Sequence, residues 1–118
     1  MESFTNLDVW QKAHDLTLSI YKLTEDLPKE ERYRLGDQIR RSASSIPANI
    51  AEGQARQTTQ EYIQFLYQAR GSLAETKYHL RLAKDLGYIQ EEKYESLIDN
   101  YDSVGKMLNG LINSLKEG

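Results

Sequence analysis

Apolar residues recur at alternating intervals of three and four along four segments of the chain, the spacing expected of helices with one buried face. This spacing predicts helices over about residues 7–27, from residue 29 or 30 to 55, 58–86 and 91–115. The repeat averages 3.5 residues and the connections are short. We therefore predict an all-α fold, an antiparallel, left-handed, up-down-up-down four-helix bundle that forms a single domain over residues 1–118. The predicted core positions are Val9, Ala13, Leu16, Ile20, Leu23, Leu27, Leu35, Ile39, Ala43, Ile46, Ile50, Tyr62, Leu66, Ala69, Leu73, Thr76, Leu80, Ala83, Tyr94, Leu97, Tyr101, Val104, Leu108, Leu111 and Leu115.

The limits of these segments follow from the residues that flank them. Pro28 is expected to end the first helix, because the residue before a proline avoids helical backbone angles. Thr58 and Glu61 form a capping-box pattern at the start of the third helix. Gly87, just after the third helix, suits a left-handed C-terminal cap.

Pro47 lies inside the apolar pattern of the second helix and predicts a kink there. It has no N–H to bond the carbonyl of Ala43, and a proline inside an exposed helix costs roughly 3 kcal/mol relative to alanine. The hydroxyls of Ser44 and Ser45 lie within one turn and could bond the freed backbone groups. The alternative is that Pro47 starts a new helix after a break. We favour a continuous, kinked helix.

Composition restricts the class of protein. The 118 residues include no cysteine, which excludes disulfides, thiolate nucleophiles and cysteine metal sites. No apolar run approaches the ~20 residues of a membrane span, and the first residues lack the pattern of a secretory signal. We therefore expect a cytoplasmic protein with no membrane partner.

The net charge of −3 is unevenly distributed along the chain. Acidic side chains are in excess over residues 1–31 and 91–118, and basic ones over 32–56 and 57–90. Two interpretations follow. Neighbouring helices could neutralise one another, or the two middle helices could present a basic patch to a polyanion.

A second stripe of small or aromatic residues runs along three of the helices, away from the predicted core. A monomeric bundle needs only one apolar face per helix, and Tyr and Trp are enriched where protein surfaces meet. The stripes therefore predict self-association, although alanine is also simply a good helix former. The residues predicted to form the oligomer interface are Trp10, His14, Tyr21, Ser44, Ala48, Ala51, Ala55, Tyr67, Gly71, Ala74 and Tyr78.

Basic residues follow one edge of the third helix, and those of the second helix and the following loop could extend this edge. It can be interpreted as a solvated edge paired with acids of the first or fourth helix. It can also be interpreted as a stripe that contacts phosphates through charge. The candidate nucleic-acid-binding residues are Arg40, Arg41, Arg56, Arg70, Lys77, Arg81 and Lys84.

No arrangement of residues predicts catalysis. The only histidines are His14 and His79, and Glu75 beside His79 lacks the second pair and the further carboxylates of a di-iron bundle. There is no Gly-rich phosphate loop and no serine, histidine and acid arrangement. We expect no enzyme activity, no cofactor and no metal site.

The segment Ile46-Pro47-Ala48-Asn49-Ile50-Ala51-Glu52-Gly53 resembles the signature of a bacterial family of small four-helix-bundle proteins. The founding members are encoded in intervening sequences of large-subunit ribosomal RNA genes, and the accessory variability determinant of diversity-generating retroelements is similar to them. Further matching positions are Trp10, Ala13, Leu35, Gln38, Ile39, Arg41, Gly71-Ser72-Leu73, Glu75 and Leu86-Gly87-Tyr88-Ile89. The resemblance implies a ring-like homopentamer with RNA, DNA or a nucleic-acid enzyme as partner.

The signature residues Pro47, Asn49, Glu52 and Gly53 surround the predicted kink. We interpret Asn49 and Glu52 as structural groups that bond freed backbone or the third helix; the alternative is a shared site for a partner. The sequence and the resemblance together predict a non-enzymatic, homo-oligomeric binding or scaffolding protein. It would bind RNA or DNA weakly through charge, or assist a nucleic-acid enzyme. The alternative is a scaffold that contacts proteins only.

Overall fold

The computed structural model describes residues 3–118 and contains four long helices. These are α1 (Asp8–Glu25), α2 (Leu35–Gln54), α3 (Thr59–Asp85) and α4 (Glu91–Glu117). Single 3-10 turns lie at Phe4–Asn6 and Lys29–Glu31, and residues 3–118 contain no strand. Each helix packs on the next one and α4 packs on α1, so the predicted four-helix bundle is confirmed.

Contacts between α3 and α4 show that the two helices are antiparallel. Arg70 on α3 donates a hydrogen bond to Asn109 on α4, and Lys77, seven residues later, pairs with Asp102, seven residues earlier. The paired residue numbers therefore run in opposite directions along the two helices.

The pair α2 and α3 shows the same arrangement. Ser45 hydrogen-bonds Ser72, whereas Gly53, later on α2, lies against Tyr62 and Phe65, earlier on α3. These contacts show that α2, α3 and α4 alternate in direction; the up-down-up-down course of the whole bundle stays a prediction. The left-handed twist of the bundle stays a prediction.

The second helix begins later than predicted. Lys29–Glu31 form a separate 3-10 turn, and α2 begins only at Leu35. Arg34 has φ −117° and ψ −89°, outside the helical region, so the helical conformation is interrupted between the 3-10 turn and α2. The prediction of a start at residue 29 or 30 is wrong. Glu30 and Glu31, which favour a helix N-terminus, lie in the short 3-10 turn instead of in the first turn of α2.

The predicted caps of α3 are confirmed. The hydroxyl of Thr58 accepts a hydrogen bond from the backbone N–H of Glu61 at 3.1 Å, which satisfies one of the free amides of the first turn. At the other end, Gly87 has φ +84° and accordingly adopts the left-handed conformation that other residues avoid. Ile89, two residues later, turns back into the core.

The core is built from the predicted apolar faces, although Leu23, Tyr62 and Tyr94 are only half-buried and the pattern shifts near the end of α4. There Ile112 is buried, whereas Leu111 and Leu115 are half-buried. An α-helix has 3.6 residues per turn rather than 3.5, so a long helix drifts away from a strict heptad pattern. Tyr101 is the largest fully buried side chain, and its hydroxyl has no hydrogen-bond partner among residues 3–118.

The helix α2 runs through Pro47 without interruption, which confirms the continuous helix; the kink itself stays a prediction. The carbonyl of Ala43, which Pro47 cannot bond, lies 3.3 Å from the hydroxyl of Thr17 on α1. Ser44 and Ser45 do not serve this carbonyl. Ser44 donates to the carbonyl of Arg41, and Ser45 bonds α3. The freed acceptor is thus served from a neighbouring helix, which sequence spacing cannot show.

Candidate interaction surfaces

An open groove of about 470 Å³ runs along the outside of the bundle between α1 and α2. We call it the α1–α2 groove; its lining is mainly apolar. Trp10 and His14 stack with their ring centroids 4.8 Å apart, and Phe4 meets the Trp10 ring edge-on at 5.0 Å. Farther along, Leu18 and Tyr21 are 52% and 49% exposed, which is unusual for such large apolar side chains.

The groove brings together six of the predicted interface residues. They are Trp10, His14, Tyr21, Ser44, Ala48 and Ala51. Ala55 is exposed at the C-terminal cap of α2 and does not line the groove. Leu18 lines the groove but was missed by the sequence analysis, although it stands four residues after His14 and three before Tyr21. The same helical spacing therefore contained the signal that could have found it.

The remaining predicted interface residues lie on another side of the molecule. They form what we call the α3 outer stripe: Tyr67, Gly71, Ala74 and Tyr78. Tyr78 is 61% exposed, and a side chain built on Gly71 would meet no atom within 4 Å. Tyr67 is half-buried beneath the cationic groups of Arg70 and Lys116. The structure therefore divides the predicted interface into a groove and a separate stripe.

The basic edge of α3 is largely paired with acidic residues. Lys77 pairs with Asp102 on α4, and Arg81 pairs with Asp85 one turn later on α3. Lys84 also lies within 4.0 Å of Asp85. Such exposed pairs add little stability, but they reduce the charge that this edge can offer to a phosphate.

The basic residues of α2, and Arg56 in the loop after it, include both paired and unpaired cations. Arg40 pairs with Asp37, and Arg56 pairs with Glu52. Within residues 3–118, Arg41 has no acidic partner. Arg70 on α3 bonds the neutral amide of Asn109 and also lacks an acidic partner in this part of the chain. The seven candidate phosphate contacts thus lie on two helices and the loop between them, and they include two cations without a carboxylate.

Two of the signature residues after Pro47, Asn49 and Gly53, lie where α2 packs against α3. The Asn49 amide donates to the carbonyl and the hydroxyl of Ser45 at 2.8 and 3.2 Å, and that hydroxyl meets Ser72 on α3 at 2.9 Å. A Cβ on Gly53 would lie 2.8 Å from the Cβ of Phe65, closer than real Cβ atoms approach. Gly53 therefore permits the close approach of the two helices, whereas the carboxylate of Glu52 faces solvent.

Side chains that could bind a metal ion do not cluster in the described residues. His79 lies 3.3 Å from Glu75, and no group of three or more His, Cys, Asp or Glu residues within 3–118 could hold a metal ion. Burial raises the pKa of Tyr101, and the hydrogen bond to Glu31 raises the pKa of Tyr88. None of the helices in this part of the chain is both long and apolar enough to span a membrane.

These features define the class: an all-α, four-helix-bundle protein with candidate contacts on its outer helix faces. The family model of the 23S rRNA-intervening sequence protein matches residues 5–110, so the chain belongs to that family. Its fold is similar to a crystal structure of a protein of unknown function from the S23 ribosomal protein family of Bacteroides thetaiotaomicron VPI-5482. The two chains are 32% identical with a TM-score of 0.83, over 89% of this chain and 95% of that one. No curated protein matches the chain.

Proposed function

We propose that the protein is a non-enzymatic scaffold that self-associates through the α1–α2 groove. The observation that carries this proposal is the exposure of Leu18 and Tyr21 beside the stacked pair of Trp10 and His14. Burying apolar surface gains roughly 25 cal/mol per Å², so a groove of this kind favours a protein surface over water. Contiguous apolar patches on otherwise polar proteins usually mark such contacts.

The occupant we propose for the groove is the α3 outer stripe of a second copy. This stripe is uncharged, and the small side chains at Gly71 and Ala74 are both exposed. Small residues let a helix approach a groove closely, while Tyr67 and Tyr78 supply aromatic contact area at its ends. The stripe and the groove lie on different helices, so one copy can present both at once.

Single-stranded RNA or DNA is the second candidate partner. The observation that favours it is that Arg41 and Arg70 lack a carboxylate partner within residues 3–118. One subunit would bind weakly, but an oligomer would repeat these cations and bind through many weak contacts. An accessory role beside a nucleic-acid enzyme would use the same cations. A scaffold that contacts proteins only is the alternative, favoured by the pairing of Lys77, Arg81 and Lys84 with acids.

Sedimentation velocity at micromolar concentration tests self-association. The wild type should sediment as an oligomer, and Ala51→Glu should dissociate it, because the new charge would be buried without a partner in the groove. Ala55→Glu is the matched control: it adds the same charge one turn later on α2, outside the groove, and should leave the oligomer intact. A monomeric wild type would refute the proposal.

A further inference from the structure

A second open site, of about 600 Å³, lies between the start of α2 and the end of α3. We call it the α2–α3 cleft. One side carries Arg34, Gln38 and Arg41, which follow each other at helical spacings of four and three. The other side carries Leu82 and Leu86, again four residues apart. A cleft with arginines on one side and leucines on the other fits an amphipathic ligand.

The carboxylates that line this cleft have hydrogen-bond or ion-pair partners, whereas two of its arginines have no acidic partner in the described residues. Both carboxylates on its lining already have partners: Glu31 accepts a hydrogen bond from Tyr88 at 3.0 Å, and Asp37 pairs with Arg40. Arg34 and Arg41 are exposed, and neither has an acidic partner within residues 3–118. The cleft therefore offers two unpaired guanidinium groups to an acidic ligand.

The apolar side of the cleft is also uncovered. Leu86 is 51% exposed, and Tyr33, at the turn before α2, is 79% exposed. Leu82 is half-buried between them and the core. A ligand that covered these side chains would gain from their burial while its acids met the arginines.

We propose that the α2–α3 cleft binds an acidic amphipathic helix of a partner protein. Arg34 is the N-cap residue of α2 and Arg41 lies seven residues later, so their Cα atoms are separated by roughly 10 Å along the helix axis. Two acidic residues seven positions apart on a partner helix have the same separation. The apolar residues of the partner's intervening turn would then face Leu82 and Leu86, as in other helix-in-groove complexes.

A nucleic acid fits this cleft less well. It would leave Leu82 and Leu86 without an apolar partner, because its bases would stack on Tyr33 or on the guanidinium planes instead. A helix with acids on one edge and leucines beside them satisfies both walls.

A synthetic helical peptide tests the proposal. The probe carries two glutamates seven residues apart with two leucines on the turn between them, and a second probe replaces the glutamates with lysines. Fluorescence anisotropy with the full-length protein should show binding of the acidic probe only. The double variant Arg34→Glu, Arg41→Glu should weaken that binding about tenfold, since two exposed charge pairs are lost.

The control is the double variant Lys93→Glu, Lys106→Glu, which makes the same change in net charge on exposed residues of α4. It should leave binding unchanged. Equal loss in both variants, or equal binding of both probes, would overturn the proposal. So would stronger binding of a single-stranded RNA oligomer than of the acidic peptide in the same cleft. The cleft has no lining residue in common with the α1–α2 groove, so a loss of peptide binding and a loss of self-association can be measured separately.

Discussion

The hydroxyl of Thr17 on α1 lies 3.3 Å from the carbonyl oxygen of Ala43 on α2, the acceptor that Pro47 leaves without a helical donor. The same hydroxyl lies 2.8 Å from the carbonyl of Ala13, so its one hydrogen is shared between two acceptors. The carbonyl of Ala13 also accepts the usual helical hydrogen bond from the N–H four residues later. The carbonyl of Ala43 does not, because the residue four positions later is Pro47. The packing of α1 against α2 thus offsets part of the cost of a proline inside a helix.

This relationship predicts that the effects of changes at positions 17 and 47 are coupled. Thr17→Val keeps the shape of the side chain but removes the donor, and should lower the free energy of unfolding by about 1–2 kcal/mol. In a Pro47→Ala background the restored N–H bonds Ala43, so the same change should cost less. Urea unfolding of the four proteins measures the coupling. An equal cost in both backgrounds would contradict the account.

Gly53 predicts a second effect on stability. Gly53→Ala places a Cβ 2.8 Å from that of Phe65, and overpacking typically costs about 1–3 kcal/mol, more than the ~1 kcal/mol that alanine gains in a helix. The variant should therefore be less stable in thermal or urea unfolding. Gly110→Ala, where a Cβ meets nothing within 4 Å, is the matched control and should be more stable. If Gly53→Ala were more stable than the wild type, α2 and α3 would be able to move apart at little cost in free energy.

Removing the hydroxyl of Tyr101 should make the protein more stable. Its hydroxyl is buried without a partner in the described part of the chain, and such a group costs about 1–3 kcal/mol. Tyr101→Phe should therefore raise the free energy of unfolding by about 1 kcal/mol at neutral pH, measured by urea unfolding. A loss of stability instead would mean that the hydroxyl has a hydrogen-bond partner in solution.

The same residue predicts how stability changes in alkali. Burial raises the pKa of Tyr101 above the 10.0 of an unfolded tyrosine, so above pH 10 the folded state keeps a proton that the unfolded state has lost. Stability should then fall as the pH rises, by about 1.4 kcal/mol per pH unit for one proton. Tyr101→Phe should flatten this decline. Tyr62, whose pKa burial also raises, contributes to what remains.

Nucleic-acid binding can be tested through the unpaired cations. If single-stranded RNA binds, log K should fall with log salt by about 0.7 for each phosphate neutralised. Arg41→Ala with Arg70→Ala should reduce both the affinity and this slope. Lys77→Ala with Arg81→Ala, which removes cations already paired with acids, should do so less. Anisotropy titrations at low and physiological salt compare them. No binding at low salt would leave the protein-only scaffold.

Much of the fold follows from the sequence because core residues repeat along single helices. Ile39, Ile46 and Ile50 are all fully buried, as their spacing predicts. The caps at Thr58 and Gly87 are likewise local patterns that the structure confirms.

Features that need a neighbouring helix could not be predicted in this way. The donor to Ala43 stands 26 residues away, and the pairing of Lys77 with Asp102 depends on the register between α3 and α4. Sequence stripes also show which face of its own helix a residue occupies, but not which faces of different helices meet. That is why the predicted interface combined the α1–α2 groove with the α3 outer stripe.

The separation of that groove from that stripe restricts the symmetry of any assembly built from them. A two-fold dimer pairs one patch with its own copy, whereas a groove that takes a stripe makes a heterologous, head-to-tail contact. An open chain of copies then always keeps one free groove at one end and one free stripe at the other, until it closes on itself. The rotation between neighbours therefore decides between a closed cyclic assembly and an open filament.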